Sequence, residues 1–309
     1  MGYFPTVKLH LLLNHVVIDW FESLSAHHFS LMSPLVSPAW LAGHLDDPNT
    51  VILDATLPPV GVTPPVDTHA RYRAQHIPGS IFFDIEAFSD PATSLPHMLP
   101  SSDFFAASMS AMGISNAMTI IVYEQEGVFS APRARWMLRT FGAPNVVLLD
   151  GGLKAWLEAG LPTQSGEVRR APATFLSKFN TFDVKDFAEI QHLIAERAQI
   201  LDARSAARFN GTAPEPRPGL SSGHMPGATS VPFTELVEDG HLKSPEALRT
   251  LFASKYVALD RPLTTTCGSG VTAAVVALGL ELAGAKDITL YDGSWAEYAQ
   301  HLNAVIETS

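Results

Sequence analysis

Among 309 residues there is one cysteine, Cys267, and cations are scarce: 20 Lys and Arg face 31 Asp and Glu, a formal net charge of −11. A single thiol permits no internal disulfide, which suits a reducing compartment, and a cytoplasmic location is expected. The acidic balance argues against a nucleic-acid partner, whose phosphates demand a basic surface. Long apolar runs are missing too. Residues 9–18 (LHLLLNHVVI) are interrupted by Asn14 and His15 and are too short to span a bilayer, so no membrane partner is expected. Before Arg71 the only Lys or Arg is Lys8, which fits neither a secretory signal nor a transit peptide. Residues 1–31 are expected to be an N-terminal extension or a misplaced start, with Met32 the alternative initiator.

Several functional signatures are absent as well. Twelve histidines are present, but there is no HExxH, no CxxC and no carboxylate facial pattern, so no metal site is expected. Gly151-Gly152 follow a strand-like run without completing GxGxxG, so no dinucleotide site is expected, and no cofactor is implied.

What is present is a folding composition, 46% hydrophobic and 17% charged, at a length that accommodates two ordinary domains. Three word pairs recur along the chain. VILDAT (51–56) returns as QILDAR (199–204), HIPGSIFFDIEAF (76–88) as HMPGATSVPFTEL (224–236), and VVLLDGGLKAW (146–156) as ITLYDGSWAEY (288–298). Asp54 to His76 and Asp202 to His224 are both 22 residues. A shared register of this kind marks a duplicated domain.

Each copy alternates strand-like and helix-like segments. Val51–Leu53 and Gln199–Leu201 are apolar runs ending at Asp, as buried parallel strands do. Thr119–Tyr123 and Leu263–Thr266 are second strands, each followed by a glycine-containing loop and a helical segment. Val146–Leu149 and Ile288–Tyr291 are third strands, each closed by an Asp-Gly turn. Ser37 and Pro38 signal a helix start, with Ser at the N-cap and Pro at the first helical position. The pattern predicts an α/β fold of two tandem domains, each a parallel sheet with helices on both faces. The irregular stretch from Pro162 to about Phe182 is the predicted connector, with the division at residues 32–167 and 168–309.

The strongest chemical signal follows the strand Leu263–Thr266. Cys267 is succeeded by Gly268-Ser269-Gly270 and by a helix beginning near Val271 and Thr272. In such a turn successive backbone N–H groups converge, and the helix N-terminus lies behind them. A thiol there meets positive potential, which favours thiolate and nucleophilic chemistry. The alternative for a lone cysteine is a buried structural thiol. Aligned by its strand, the first copy carries Glu124 at this position, so only the second copy has the thiol, and the cleft between copies is the expected substrate site. A cysteine phosphatase would need Arg six positions after its cysteine. Ala273 stands there, which excludes it.

The loop Cys267-Gly268-Ser269-Gly270-Val271-Thr272 resembles the active-site loop of the mercaptopyruvate branch of the tandem rhodanese family. The paired HxPG motifs, Phe129–Arg133, Leu149–Leu153 and Tyr291–Trp295 are similar to those of the whole family, and the likeness runs from about Trp40 to Trp295. The resemblance implies a non-catalytic first rhodanese-like domain and a catalytic second one. It implies a sulfurtransferase carrying sulfur from a small anionic donor, 3-mercaptopyruvate, through a persulfide on Cys267. Acceptors would be a thiol, such as thioredoxin or a small thiol, or cyanide, and pyruvate would be released. Thiosulfate enzymes of the family carry basic residues after the cysteine, whereas Gly268 and Ser269 are neutral. A thiosulfate:cyanide sulfurtransferase and a persulfide-carrying module are the alternatives.

The resemblance also assigns roles. Cys267 is the nucleophile, and Ser269 acts with His76 and Asp67 as a proton relay. His76 has a conformational alternative, since its repeat partner His224 is not placed in the site, and Asp67 has a solvated one. Arg208 and Arg217 grip the donor carboxylate through their planar, fork-shaped donors. Gly268, Gly270, Val271 and Thr272 line the donor site, and Arg204 is structural.

Overall fold

Each apolar run that ends at an aspartate becomes a central strand of a parallel sheet in the computed structural model, which describes residues 33–62 and 64–309. The expected extension, residues 1–31, and the alternative initiator Met32 lie outside the described residues. The first half runs β1 (Leu35–Val36), α1 (Pro38–Ala42), β2 (Thr50–Asp54), α2 (Thr68–Ala74), β3 (Ile81–Phe82), α3 (Ser102–Ala111), β4 (Thr119–Tyr123), α4 (Ala131–Thr140), β5 (Val146–Leu149) and α5 (Gly152–Glu158). The second half runs β6 (Val184–Lys185), α6 (Phe187–Ala195), β7 (Gln199–Asp202), α7 (Ala206–Phe209) and β8 (Thr229–Ser230). A hairpin, β9 (Val237–Glu238) and β10 (His241–Leu242), precedes α8 (Pro245–Ser254), β11 (Leu263–Thr266), α9 (Val271–Ala283), β12 (Ile288–Tyr291) and α10 (Ser294–Tyr298).

The two five-stranded sheets have the orders β1-β5-β4-β2-β3 and β6-β12-β11-β7-β8, the same order once the repeat is superposed. Every pairing within them is parallel. Alternate residues of β2 and β4 show why both faces are covered. Val51, Leu53, Ile120 and Val122 enter one apolar cluster, while Ile52, Ile121 and Tyr123 enter another with Leu41 of α1 and Trp156 of α5. In the second half Ile200 and Tyr291 pack with Ile190 of α6 and Trp295 of α10. Full burial of such side chains contributes roughly 1.5–3 kcal/mol each.

Local chemistry sets the helix ends. Ser37 accepts the Trp40 N–H at 3.2 Å ahead of Pro38, as its sequence signals. α9 begins after Gly270, at φ 77°, and stops at Gly284, at φ 103°. Nine of its thirteen residues are buried, because α9 is apolar all round and is enclosed by α4, α8 and its own sheet. α4 is its counterpart in the first half. Arg135 and Arg139 of α4 bind Glu281 of α9 at 2.8 Å each, so the two halves share this helix pair.

Residues 162–180 are largely irregular, lead into a 3-10 turn at Thr181–Asp183, and are anchored to the first half. Lys178 N–H donates to Phe141 O and Asn180 N–H to Thr140 O. Sequence patterning missed the two-residue strands β1, β3, β6 and β8, which are too short to carry a period. Among the described residues no helix is long and apolar enough to cross a membrane.

Candidate active site

β11 delivers Cys267 to its carboxyl end, and the loop after it is tied to α10. Trp295 N–H donates to Cys267 O at 2.9 Å and Ala296 N–H to Gly268 O at 3.0 Å. The Cys267 N–H meets Ser294 Oγ. The first amides of α9 have no partner within the helix by geometry, so they are available to an anion held over the loop. Cys267 is only 2% exposed, yet it lines a cleft of about 640 Å3 between the two halves. Gly268, Ser269, Val271, Thr272, Arg208 and Arg217 line the same cleft.

A chain of buried charges brings Arg208 there. Asp202 ends β7 and is gripped by Arg204, whose guanidinium also lies 4.0 Å over the Trp295 ring. Arg204 Nη1 donates to Glu215 at 2.8 Å, and the other Glu215 oxygen takes Nε and Nη2 of Arg208. Glu215 is thereby buried between two guanidinium groups and orients Arg208 over the cysteine loop. Arg204 is held by these buried carboxylates and also borders the cleft. A Cβ on Gly268 would sit 3.0 Å from Arg208 Nη2 and 3.8 Å from Arg217 Nη1, so the bare glycine makes room for both cations. Arg217 Nη2 reaches Ser269 Oγ at 3.4 Å. Burial lowers the Arg217 pKa, and the charge of nearby Cys267 opposes that drop.

Two expected relay residues lie elsewhere. His76 is fully buried, stacks on Tyr72 at 4.4 Å and bonds Tyr72 O through Nδ1 at 2.8 Å. His224 does the same with Phe209, at 3.9 Å and 2.9 Å. Both copies use this histidine to lock the HxPG turn, the conformational alternative. Asp67 is the N-cap of α2, accepting the Ala70 N–H at 2.8 Å. Gly270 is likewise not a lining residue. Its positive φ turns the loop, and a Cβ there would meet Arg133 Nη1 at 2.8 Å.

The histidine that does reach Ser269 is His97. Its Nδ1 lies 2.9 Å from Ser269 Oγ and its Nε2 lies 2.7 Å from Glu86 Oε1. The hydrogen bond from His97 holds the Glu86 carboxyl below its usual value despite partial burial. His97 and Glu86 sit between β3 and α3; the matching stretch of the second copy, between β8 and α8, holds His241, whose Nδ1 instead meets Asp150 Oδ2 at 3.0 Å.

The first half shows what its own loop holds instead. Glu124, at the position matching Cys267, accepts N–H groups from Phe129 at 2.6 Å, Ser130 at 3.0 Å and Ala131 at 3.1 Å. Burial outweighs these bonds and raises its pKa to about 7. The folded chain therefore keeps this proton at pH values where the unfolded chain has released it, and native stability falls as pH rises from about 4.5 to about 7. Glu124→Gln, which cannot ionise, is expected to gain on the parent through that window, by up to about 3 kcal/mol above pH 7. Urea unfolding on both sides of the window checks it; a difference independent of pH would contradict it.

Comparison with known proteins agrees with this architecture. The rhodanese-like domain model matches twice, over residues 37–159 and 186–301. The 3-mercaptopyruvate sulfurtransferase of Escherichia coli K12 is 44% identical over 273 residues, covering 88% of this chain and 97% of that protein. A thiosulfate sulfurtransferase of Rattus norvegicus is 40% identical over 280 residues, covering 88% and 93%. The crystal structure of SseA, a 3-mercaptopyruvate sulfurtransferase from E. coli, superposes with a TM-score of 0.79 at 42% identity, covering 85% of this chain and 99% of that one. With both halves matched and the sheet order shared between them, the chain belongs to the rhodanese family as a tandem, two-domain member.

Proposed function

We propose that this protein transfers sulfur from 3-mercaptopyruvate through a persulfide on Cys267, with the first domain supporting and the second catalytic. The observation that carries this is one cleft holding a loop thiol, two guanidinium groups and a hydroxyl on a histidine–carboxylate pair. Arg208 and Arg217 bind the donor carboxylate. The Cys267 thiolate attacks the donor sulfur. The new S–S bond forms as the C–S bond breaks, and its electron pair leaves on carbon as the pyruvate enolate. Ser269 Oγ–H protonates that carbon and is recharged through His97, which Glu86 orients. The persulfide then gives its outer sulfur to a thiol, such as thioredoxin or a small thiol, or to cyanide, and the cysteine is regenerated. A cytoplasmic setting suits a chain that depends on a single free thiol.

The preference for mercaptopyruvate over thiosulfate is supported by Gly268. A basic side chain there, as thiosulfate enzymes carry, would compete with Arg208 for the same space. Intact mass measurement after adding 3-mercaptopyruvate is expected to show a gain of one sulfur atom on Cys267 with release of one pyruvate. A higher kcat/KM with thiosulfate would overturn the donor assignment. Persulfide formation without turnover would favour a carrier module.

A further inference from the structure

One buried ion pair joins the two halves beneath the site without facing the cleft. Arg133, in the first turn of α4, is fully buried and meets Asp292, which follows β12, at 2.7 Å. Its partners are divided between the domains. Arg133 Nη2 also donates to the backbone oxygen of His97 at 2.5 Å, and Nη1 donates to the backbone oxygen of Gly270 at 3.4 Å. The second oxygen of Asp292 takes the Leu99 N–H at 2.8 Å.

His97 needs such support. Its φ of 62° is a left-handed conformation that a non-glycine residue adopts at a cost. The pair grips the chain at the carbonyl of His97 itself and at the amide two residues on. The same pair grips the cysteine loop at Gly270, next to Ser269. We propose that Arg133 and Asp292 are positioning residues for the proton transfer, a buried clamp that holds the His97 imidazole in register with Ser269 across the domain boundary.

Stability is a weak rationale for this arrangement. Desolvating two charges offsets most of their attraction, and Arg133 Nε has no hydrogen-bond partner. The contact between α4 and α9 already has Arg135, Arg139 and Glu281. What the planar guanidinium adds is three simultaneous, directional contacts, one to His97, one to the loop and one to Asp292, which an ammonium could not reproduce. A shift of an ångström at a reacting group suffices to cost about a hundredfold in rate.

Positioning by this pair presupposes that His97 shuttles the proton, and the test separates the two. Asp292→Asn keeps the shape and an acceptor for Leu99 but weakens the grip on Arg133. It is expected to lower kcat for pyruvate release by about ten- to a hundredfold. KM for 3-mercaptopyruvate should stay within about twofold, because Arg208 and Arg217 are untouched. Arg133→Lys, which keeps the charge, is expected to behave likewise. In a His97→Gln background Asp292→Asn should have little additional effect, since the clamp acts through that histidine. Equal losses in both backgrounds, or an unchanged kcat for Asp292→Asn, would overturn the positioning role while leaving the relay intact. An unchanged kcat for His97→Gln alone would remove the relay, and the clamp's purpose with it. Thermal unfolding of each variant identifies any loss that is only misfolding.

Discussion

Cys267→Ser is expected to lose sulfur transfer entirely, with pyruvate release falling by at least about 10⁴-fold and no mass gain on adding 3-mercaptopyruvate. The reason is chemical. A serine hydroxyl is not ionised near neutral pH and does not form the sulfane linkage that the transfer requires. The fold should survive. Cys267 is buried within the large apolar cluster, and exchanging a thiol for a hydroxyl there costs about 1–3 kcal/mol, which shows as a lower melting temperature and no change in secondary structure. Retained turnover by a folded Cys267→Ser protein would mean that sulfur travels by another route.

His97→Gln is expected to produce the second largest loss, and a selective one. The side chain keeps a polar group near Ser269 but cannot gain and lose a proton. Removal of general acid–base assistance lowers rates by about 10²–10⁴-fold, and here the loss should fall on the donor half-reaction, where the enolate is protonated. Discharge of preformed persulfide to cyanide needs no protonation of carbon and should keep its rate. Measuring the halves separately, pyruvate burst against thiocyanate formation, checks this. An equal slowing of both would assign His97 to the shape of the cleft. Glu86 belongs to the same unit, because its hydrogen bond to His97 Nε2 orients the ring and is reflected in the lowered Glu86 pKa.

The relation between sequence and site is clearest in two histidines, His76 and His97. His76 stands in a motif that both copies keep, and the resemblance pointed to it. The structure buries it against Tyr72, with His224 in the same role against Phe209. Residues shared by both copies serve needs that both copies have, such as closing the HxPG turn. A proton relay is needed once. His241 occupies the matching stretch of the second copy but turns to Asp150, and nothing local to Pro96-His97-Met98 announces a histidine with positive φ aimed at a serine 172 positions later. Glu215 is silent in the sequence for a related reason. A carboxylate between two loop arginines reads as solvated until burial reveals that it orients one of them.

The duplication, the parallel α/β layout, the strands from Thr119 to Tyr123 and from Leu263 to Thr266, and the prominence of the Cys267 loop were all determined by the sequence alone. Each is written along the chain: words that recur in register, continuous apolar runs, glycine where φ must be positive, a thiol between a strand and a helix. The tertiary structure alone decided which first-domain groups meet that loop. His97, Glu86 and Arg133 reach it only because α4 packs on α9 and turns the two carboxyl edges of the sheets toward one cleft. Contacts between residues more than a hundred positions apart depend on that packing, and packing leaves no periodic trace in the chain.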